Sequence, residues 1–237
     1  MSALNDDQAE HDIEARLAAV HARIDAAVAR RGDGPRVQLV GVSKRQPLPA
    51  LDAAAAAGLR DFGENYAQEL RDKRAARPQA DWRWHYIGAL QSNKIRYVVG
   101  CALIHTIDRP ELLAPLQRRA AAAELTQDVL VQVNVAGEDV KAGVSPSDLP
   151  ALLDGFAALP NVRCRGLMLI PPQGSPEQTR PYFAALRTLA ERMAAHTRPN
   201  VELVELSMGM SADFEVAIEE GATLVRVGTA VFGPRPT

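Results

Sequence analysis

The sequence contains no uncharged apolar run long enough to cross a bilayer, and its N-terminus, Met1 to Glu10, is polar and acidic without an apolar signal core. Neither a membrane span nor a secretory leader is therefore expected. Cysteine is scarce: Cys101 and Cys164 both sit in apolar surroundings and allow one bridge at most, so they read as buried reduced thiols of a cytoplasmic protein. There is no excess of either charge, with Lys+Arg 27 against Asp+Glu 29, which leaves no electrostatic footprint for nucleic acid. The five histidines are scattered, without metal-ligand spacing, and no metal is expected. Internal repeats, low-complexity tracts and interdomain linkers are also missing, so residues 1–237 read as one domain.

What is present is a chain that is 47% hydrophobic, enough for a substantial core. Ile13, Leu17, Val20, Ile24 and Val28 recur at helical spacing with charges between them, and Gly32-Asp33-Gly34-Pro35 ends that helix. Eight short apolar runs follow: 37–43, 61–64, 84–87, 103–107, 129–135, 165–170, 202–206 and 223–227. The fifth is nearly all apolar and β-branched, as a strand covered on both sides requires. Ser145-Pro146 and Ser175-Pro176 read as helix starts, Gln178 completing a capping box, while Gly58 and Gly221 read as left-handed helix ends. Eight strands alternating with helices predict an α/β fold of the (β/α)8 TIM-barrel type with an extra N-terminal helix. An open doubly wound sheet is the alternative, but Ser43-Lys44-Arg45-Gln46 is not the glycine-rich first turn that fold needs.

In a parallel barrel, chemistry gathers at the C-terminal ends of strands. Those positions here are unusually polar: Lys44, then Asn65 and Tyr66, His85, Asn134, Ser207 to Ser211, and Arg226 to Thr229. Lys44 reads either as a solvated strand-end lysine or as an amine that apolar neighbours keep partly neutral for attack on a carbonyl. Ser211 sits where a helix is expected to begin, a position suited to an anion or simply to capping. Gly209 permits close backbone approach, and Asp213 opposes a phosphate unless it is turned away. Gly228 and Thr229 add an amide and a hydroxyl at the next strand end. Arg226 is either half of an ion pair inside the barrel or a permanent cation against a ring nitrogen. Asn65 caps a helix or contacts a ligand. Lys141 reads as a solvated loop lysine, and Trp82 and Trp84 as packing residues. An amine for an aldehyde and a cup for a phosphate together suggest pyridoxal 5'-phosphate.

The motifs Val42-Ser43-Lys44, Phe62-Gly63-Glu64-Asn65-Tyr66, His85-Tyr86-Ile87-Gly88, Gln91-Ser92-Asn93-Lys94, Ser207-Met208-Gly209-Met210-Ser211 and Arg226-Val227-Gly228-Thr229 closely resemble the pyridoxal phosphate homeostasis protein family. The resemblance runs from the first helix to Gly233-Pro234-Arg235, with Ala89 departing where the family usually has proline. It implies a barrel like the N-terminal domain of alanine racemase, with pyridoxal phosphate held on Lys44 as a Schiff base. Ser211, Gly228 and Thr229, with backbone near Met210, would hold the phosphate, and Arg226 would face the ring nitrogen. Asn65, Ser207, Met208 and Gly209 complete the implied cofactor-binding set. It further implies a carrier or buffer of the cofactor, possible apo-enzyme recipients, and no turnover. Alanine racemase takes a tyrosine base from a second domain across a dimer. This chain ends at Thr237, soon after its eighth strand, so no such base and a mainly monomeric state are expected. Two other readings compete: a racemase-type enzyme using Lys44 as base, and an aldolase-type barrel whose cup holds a sugar phosphate.

Overall fold

The computed structural model describes residues 3–138 and 142–234, so Lys141 and Arg235 lie outside the described residues. Its parallel strands are β1 (Gln38–Val42), β2 (Asp61–Glu64), β3 (Arg83–Tyr86), β4 (Leu103–Ile107), β5 (Gln127–Gln132), β6 (Val162–Met168), β7 (Val201–Ser207) and β8 (Leu224–Val227). The helices are α1 (Ala3–Arg31), α2 (Leu48–Ala56), α3 (Ala67–Ala76), α4 (Ile95–Val98), α5 (Leu113–Ala122), α6 (Leu149–Asp154), α7 (Pro176–Ala194), α8 (Phe214–Glu219) and α9 (Thr229–Phe232). The strands close into a barrel in chain order, and β1 completes it by pairing with β8, Val40 opposite Arg226. The expected (β/α)8 barrel with its leading helix is the observed fold.

Side chains alternate across each strand, so every second residue points to the barrel axis. Val40, Leu103, Leu130, Met168 and Leu224 form the small cluster on the axis, and the main core fills the layer between strands and helices. On α1, Ile13, Leu17, Val20 and Ile24 are buried and Val28 is partly buried. This stripe packs the helix on its own barrel, against α2, α8 and α9. Arg23 donates to Glu215 and Arg30 to Glu219, fastening α1 to α8. Among the described residues no helix is long and apolar enough to cross a membrane.

Several boundaries lie one to three residues from expectation, and two of these shifts have a visible physical reason. β6 starts at Val162, not 165, because Val162 and Cys164 point inward while Arg163 forms an ion pair with Asp128 of β5. α6 starts at Leu149, not at Pro146: the Ser145 hydroxyl accepts the Asp148 N–H at 3.1 Å and closes a separate turn first. The capping box is present at α7, where Gln178 Oε1 accepts the Ser175 N–H at 2.9 Å. Gly58 and Gly221 both take φ +99°, the left-handed helix ends expected. Cys101 and Cys164 are buried free thiols, and burial pushes each up to about 12. Trp82 and Trp84 pack with Phe62 in the core layer.

Candidate functional site

Closure of the barrel brings the two ends of the sequence together. The turns after β1, β7 and β8 are neighbours, and they enclose a cavity of about 270 Å³ at the C-terminal end of the barrel. Lys44 and Gln46 come from the first turn, Met210, Ser211 and Ala212 from the second, Gly228 and Thr229 from the third, and Arg226 from β8 itself. Of the residues singled out in the sequence, Lys44, Met210, Ser211, Arg226, Gly228 and Thr229 thus meet in one cavity. Asn65, Ser207, Met208 and Gly209 do not line it. Asn65 does not cap a helix either, since α3 is preceded by Tyr66. Instead its carbonyl oxygen sits where a side chain at Gly88 would begin, 2.0 Å from the Cβ position.

Lys44 follows β1 with the same parity as Val40 and Val42, so it belongs to the axial face. The backbone on either side of it is firmly held. Ser43 is fully buried and donates its hydroxyl to Glu64 Oε1 at 2.6 Å. Lys73 Nζ from α3 donates to the Ser43 carbonyl at 2.8 Å and to Glu64 and Glu69 at 2.7 and 2.8 Å. Arg45 takes φ +60°, a conformation costly for a side-chain-bearing residue, and its N–H is received by Glu69 at 2.6 Å. Burial raises the Glu64 carboxyl above its ordinary value despite the Lys73 ammonium, and Glu64 Oε2 has no hydrogen-bond partner among the described residues.

The turn after β7 differs from the expected one. Residues 211–213 form a turn and α8 begins only at Phe214. Asp213 accounts for the delay: its Oδ1 accepts the Met210 N–H at 2.7 Å, while its own N–H and that of Phe214 return to the Met210 carbonyl at 3.1 and 2.9 Å. The Asp213 carboxylate is thereby buried and turned onto the backbone, outside the cavity lining. The Met210 amide is occupied by it at 2.7 Å, whereas the cavity-lining Gly228 N–H donates to Ser211 Oγ over a longer 3.3 Å, so an amide and a hydroxyl face each other at this lip. Gly209, at φ +90°, lets the loop lie on α8; a Cβ there would stand 2.6 Å from Ala217 Cβ.

Arg226 is 4% exposed, and its hydrogen bonds run to neutral oxygens, Ser207 Oγ at 2.7 Å and the Leu169 carbonyl at 2.9 Å. Burial pulls its guanidinium down to about 10, with the Asp213 charge opposing, so it is a cation at neutral pH. The barrel-interior ion pair considered from the sequence is not what holds it. What holds it was missed: Ser207 Oγ meets His105 Nδ1 at 2.8 Å, His105 Nε2 meets His85 Nδ1 at 3.0 Å, and His85 Nε2 meets Asp61 Oδ1 at 3.0 Å. The signal was present as a polar residue in the middle of each of two apolar strands. The scattered histidines carry no sequence spacing because the barrel, not the chain, makes them neighbours.

Among the described residues, the only ionisable ones lining the cavity are Lys44 and Arg226, both basic. An amine at one side, two hydroxyls and an amide at another, and a buried guanidinium at the floor fit an anionic carbonyl compound. Pyridoxal phosphate matches this donor set.

Residues 16–236 match the family model of the alanine racemase N-terminal domain. The chain is 47% identical over 223 residues to the pyridoxal phosphate homeostasis protein of Aquifex aeolicus, covering 93% of this chain and 97% of the relative. It is 45% identical over 226 residues to the protein of that name in Pseudomonas aeruginosa, covering 94% and 96%. Among solved structures it is similar to PipY of Synechococcus elongatus with PLP bound, at TM-score 0.82 and 40% identity, covering 93% of this chain and all of that one.

Proposed function

Because the chain belongs to the pyridoxal phosphate homeostasis protein family, with the alanine racemase N-terminal domain, we propose that it binds pyridoxal 5'-phosphate and takes part in keeping that cofactor available at low free concentration. The observation that carries the reading is the meeting of Lys44, Ser211, Gly228, Thr229 and Arg226 in one cavity that, among the described residues, no acid lines. Lys44 holds the cofactor as a Schiff base, Ser211, Thr229 and the Gly228 amide hold its phosphate, and Arg226 donates to the ring nitrogen. When bound, the cofactor supplies a carbonyl that captures amines and a ring able to accept electrons. Arg226 as a permanent donor keeps the ring nitrogen unprotonated and so works against the second of these. The protein is a non-catalytic, mainly monomeric cytoplasmic carrier that passes its cofactor to apo-enzymes.

The test is borohydride reduction of the purified protein followed by mass spectrometry. A pyridoxyl label on Lys44 is expected; a label elsewhere, or none, overturns the assignment. Ser211→Ala and Thr229→Ala each remove one hydrogen bond to a charged group, worth about 1.5–3 kcal/mol, or roughly ten- to hundred-fold in affinity. Deuterium uptake at the α-carbon of amino acids in heavy water separates a carrier from a racemase-type enzyme. Exchange at about 1–10³ per second would make it an enzyme.

A further inference from the structure

A polar chain runs along the barrel axis below the cavity, and each of its members, from Asp61 to Arg226, is more than nine-tenths buried. It begins at the opposite end of the barrel. Asp61 is the first residue of β2 and Arg83 the first of β3, and the guanidinium grips both carboxylate oxygens. From Asp61 the chain rises through His85, His105 and Ser207 to Arg226.

Hydrogen-bond accounting fixes its direction. Arg226 can only donate, so Ser207 Oγ accepts from it. Ser207 is wholly buried, and among the described residues His105 Nδ1 is the acceptor its hydroxyl proton meets, at 2.8 Å. Were His105 to donate instead, that proton would be left buried and unsatisfied, at a cost of about 1–3 kcal/mol. His105 therefore accepts at Nδ1 and carries its proton on Nε2. His85 accepts that proton at Nδ1, carries its own on Nε2, and donates to Asp61. Every bond then points from Arg226 toward Asp61, through two neutral rings. Burial foremost, with the Arg226 charge, holds His105 well below its ordinary value, in keeping with a neutral ring. The titratable groups along this path are Asp61, Arg83, His85, His105 and Arg226, with Asp213 acting on Arg226 from the side.

We propose that Asp61 is the remote counter-ion of Arg226, linked to it by aligned hydrogen bonds through His85, His105 and Ser207, and that these four are positioning residues for the guanidinium. Their relevance to the cofactor rests on the reading above, in which Arg226 meets the ring nitrogen. A buried arginine without a contacting carboxylate needs such compensation. Relaying it leaves the guanidinium edge nearest the cavity without a competing acid.

Two measurements test this. In cofactor-free protein carrying ¹⁵N-histidine, His85 and His105 are expected to be neutral with the proton on Nε2 at about pH 6–8; an Nδ1–H tautomer or a protonated His85 overturns the relay. The second is a cycle of Asp61→Asn, Ser207→Ala and the double variant, read as the dissociation constant for pyridoxal phosphate. Each single change is expected to weaken binding roughly three- to tenfold, and the double no more than the worse single. Multiplying factors would mean two independent sites and would refute the link. Should the unaltered protein bind no pyridoxal phosphate, the proposed function fails while the ring tautomers still decide the relay.

Discussion

Strand β2 carries two buried carboxylates three residues apart, one on each side of the barrel wall. Asp61 points to the axis and Glu64 to the helices. Both are charged neighbours of a cation, yet they are shifted in opposite directions. Burial works to raise the Asp61 carboxyl, but hydrogen bonds from Arg83 and His85 outweigh it and bring it to about 2. Burial raises Glu64 too, and there Lys73 and the Ser43 hydroxyl do not outweigh it. Glu64 is the more deeply buried of the two and also receives fewer donors. Both Asp61 oxygens are occupied, one of them twice, whereas Ser43 and Lys73 both donate to Glu64 Oε1 and, among the described residues, none donates to Oε2. A buried acid is held ionised by the satisfaction of its lone pairs more than by the mere presence of a counter-charge.

This contrast can be broken most forcefully at Lys73. Lys73→Met leaves Glu64 buried with only the Ser43 hydroxyl, and the expected loss is about 3–5 kcal/mol in urea unfolding. Lys73→Met with Glu64→Leu is expected to recover most of it, since an apolar pair of similar volume suits that layer. A smaller and opposite-signed effect separates the two acids by pH. Asp61 binds its proton less readily folded than unfolded. It therefore contributes about 2–3 kcal/mol above about pH 4, and this is lost as pH falls toward 2. Asp61→Asn should flatten the acid limb of a stability–pH curve. Glu64, raised when folded, takes up its proton more readily in the native state and gains stability as pH falls through its folded value. Glu64→Gln should therefore steepen the same limb. The smallest effect is expected at Arg83, whose side chain is 59% exposed. Arg83→Gln should cost no more than about 1 kcal/mol at neutral pH. It should nonetheless move the acid midpoint upward, because Asp61 then keeps only its histidine donor. Equal acid limbs in all three variants would mean that the two carboxylates do not differ as described.

The barrel was legible because its strands are short apolar runs separated by helix starts and glycine ends, and the signals of hydrophobic alternation and capping are local. The six cavity residues were legible for a different reason: the turns that carry them combine glycine, hydroxyl and basic residues directly after apolar strands. Gln46 was not, since a glutamine two residues past a lysine in a turn has no distinguishing pattern. The α8 start was misplaced because Ser211 and Asp213 are both good caps, and only the fold shows that Asp213 is spent on the Met210 amide. The Asp61-to-Arg226 chain was legible only as isolated polar residues inside apolar strands, not as a connected set. Its members come from β2, β3, β4, β7 and β8, and their adjacency depends on strand register and on which face each residue takes.

The pairing of β1 with β8 has a consequence for how the molecule is made. The cavity straddles the seam where the earliest strand meets the last, so it comes into being only when the longest loop in the chain is closed, a step that topology makes slow. A ligand bridging Lys44 on one lip and Gly228 and Thr229 on the other acts as a clasp across that seam. It binds the closed ring and not the open one, and by mass action it deepens the native state in proportion to its concentration. Scarcity of the ligand would then register first as a looser ring.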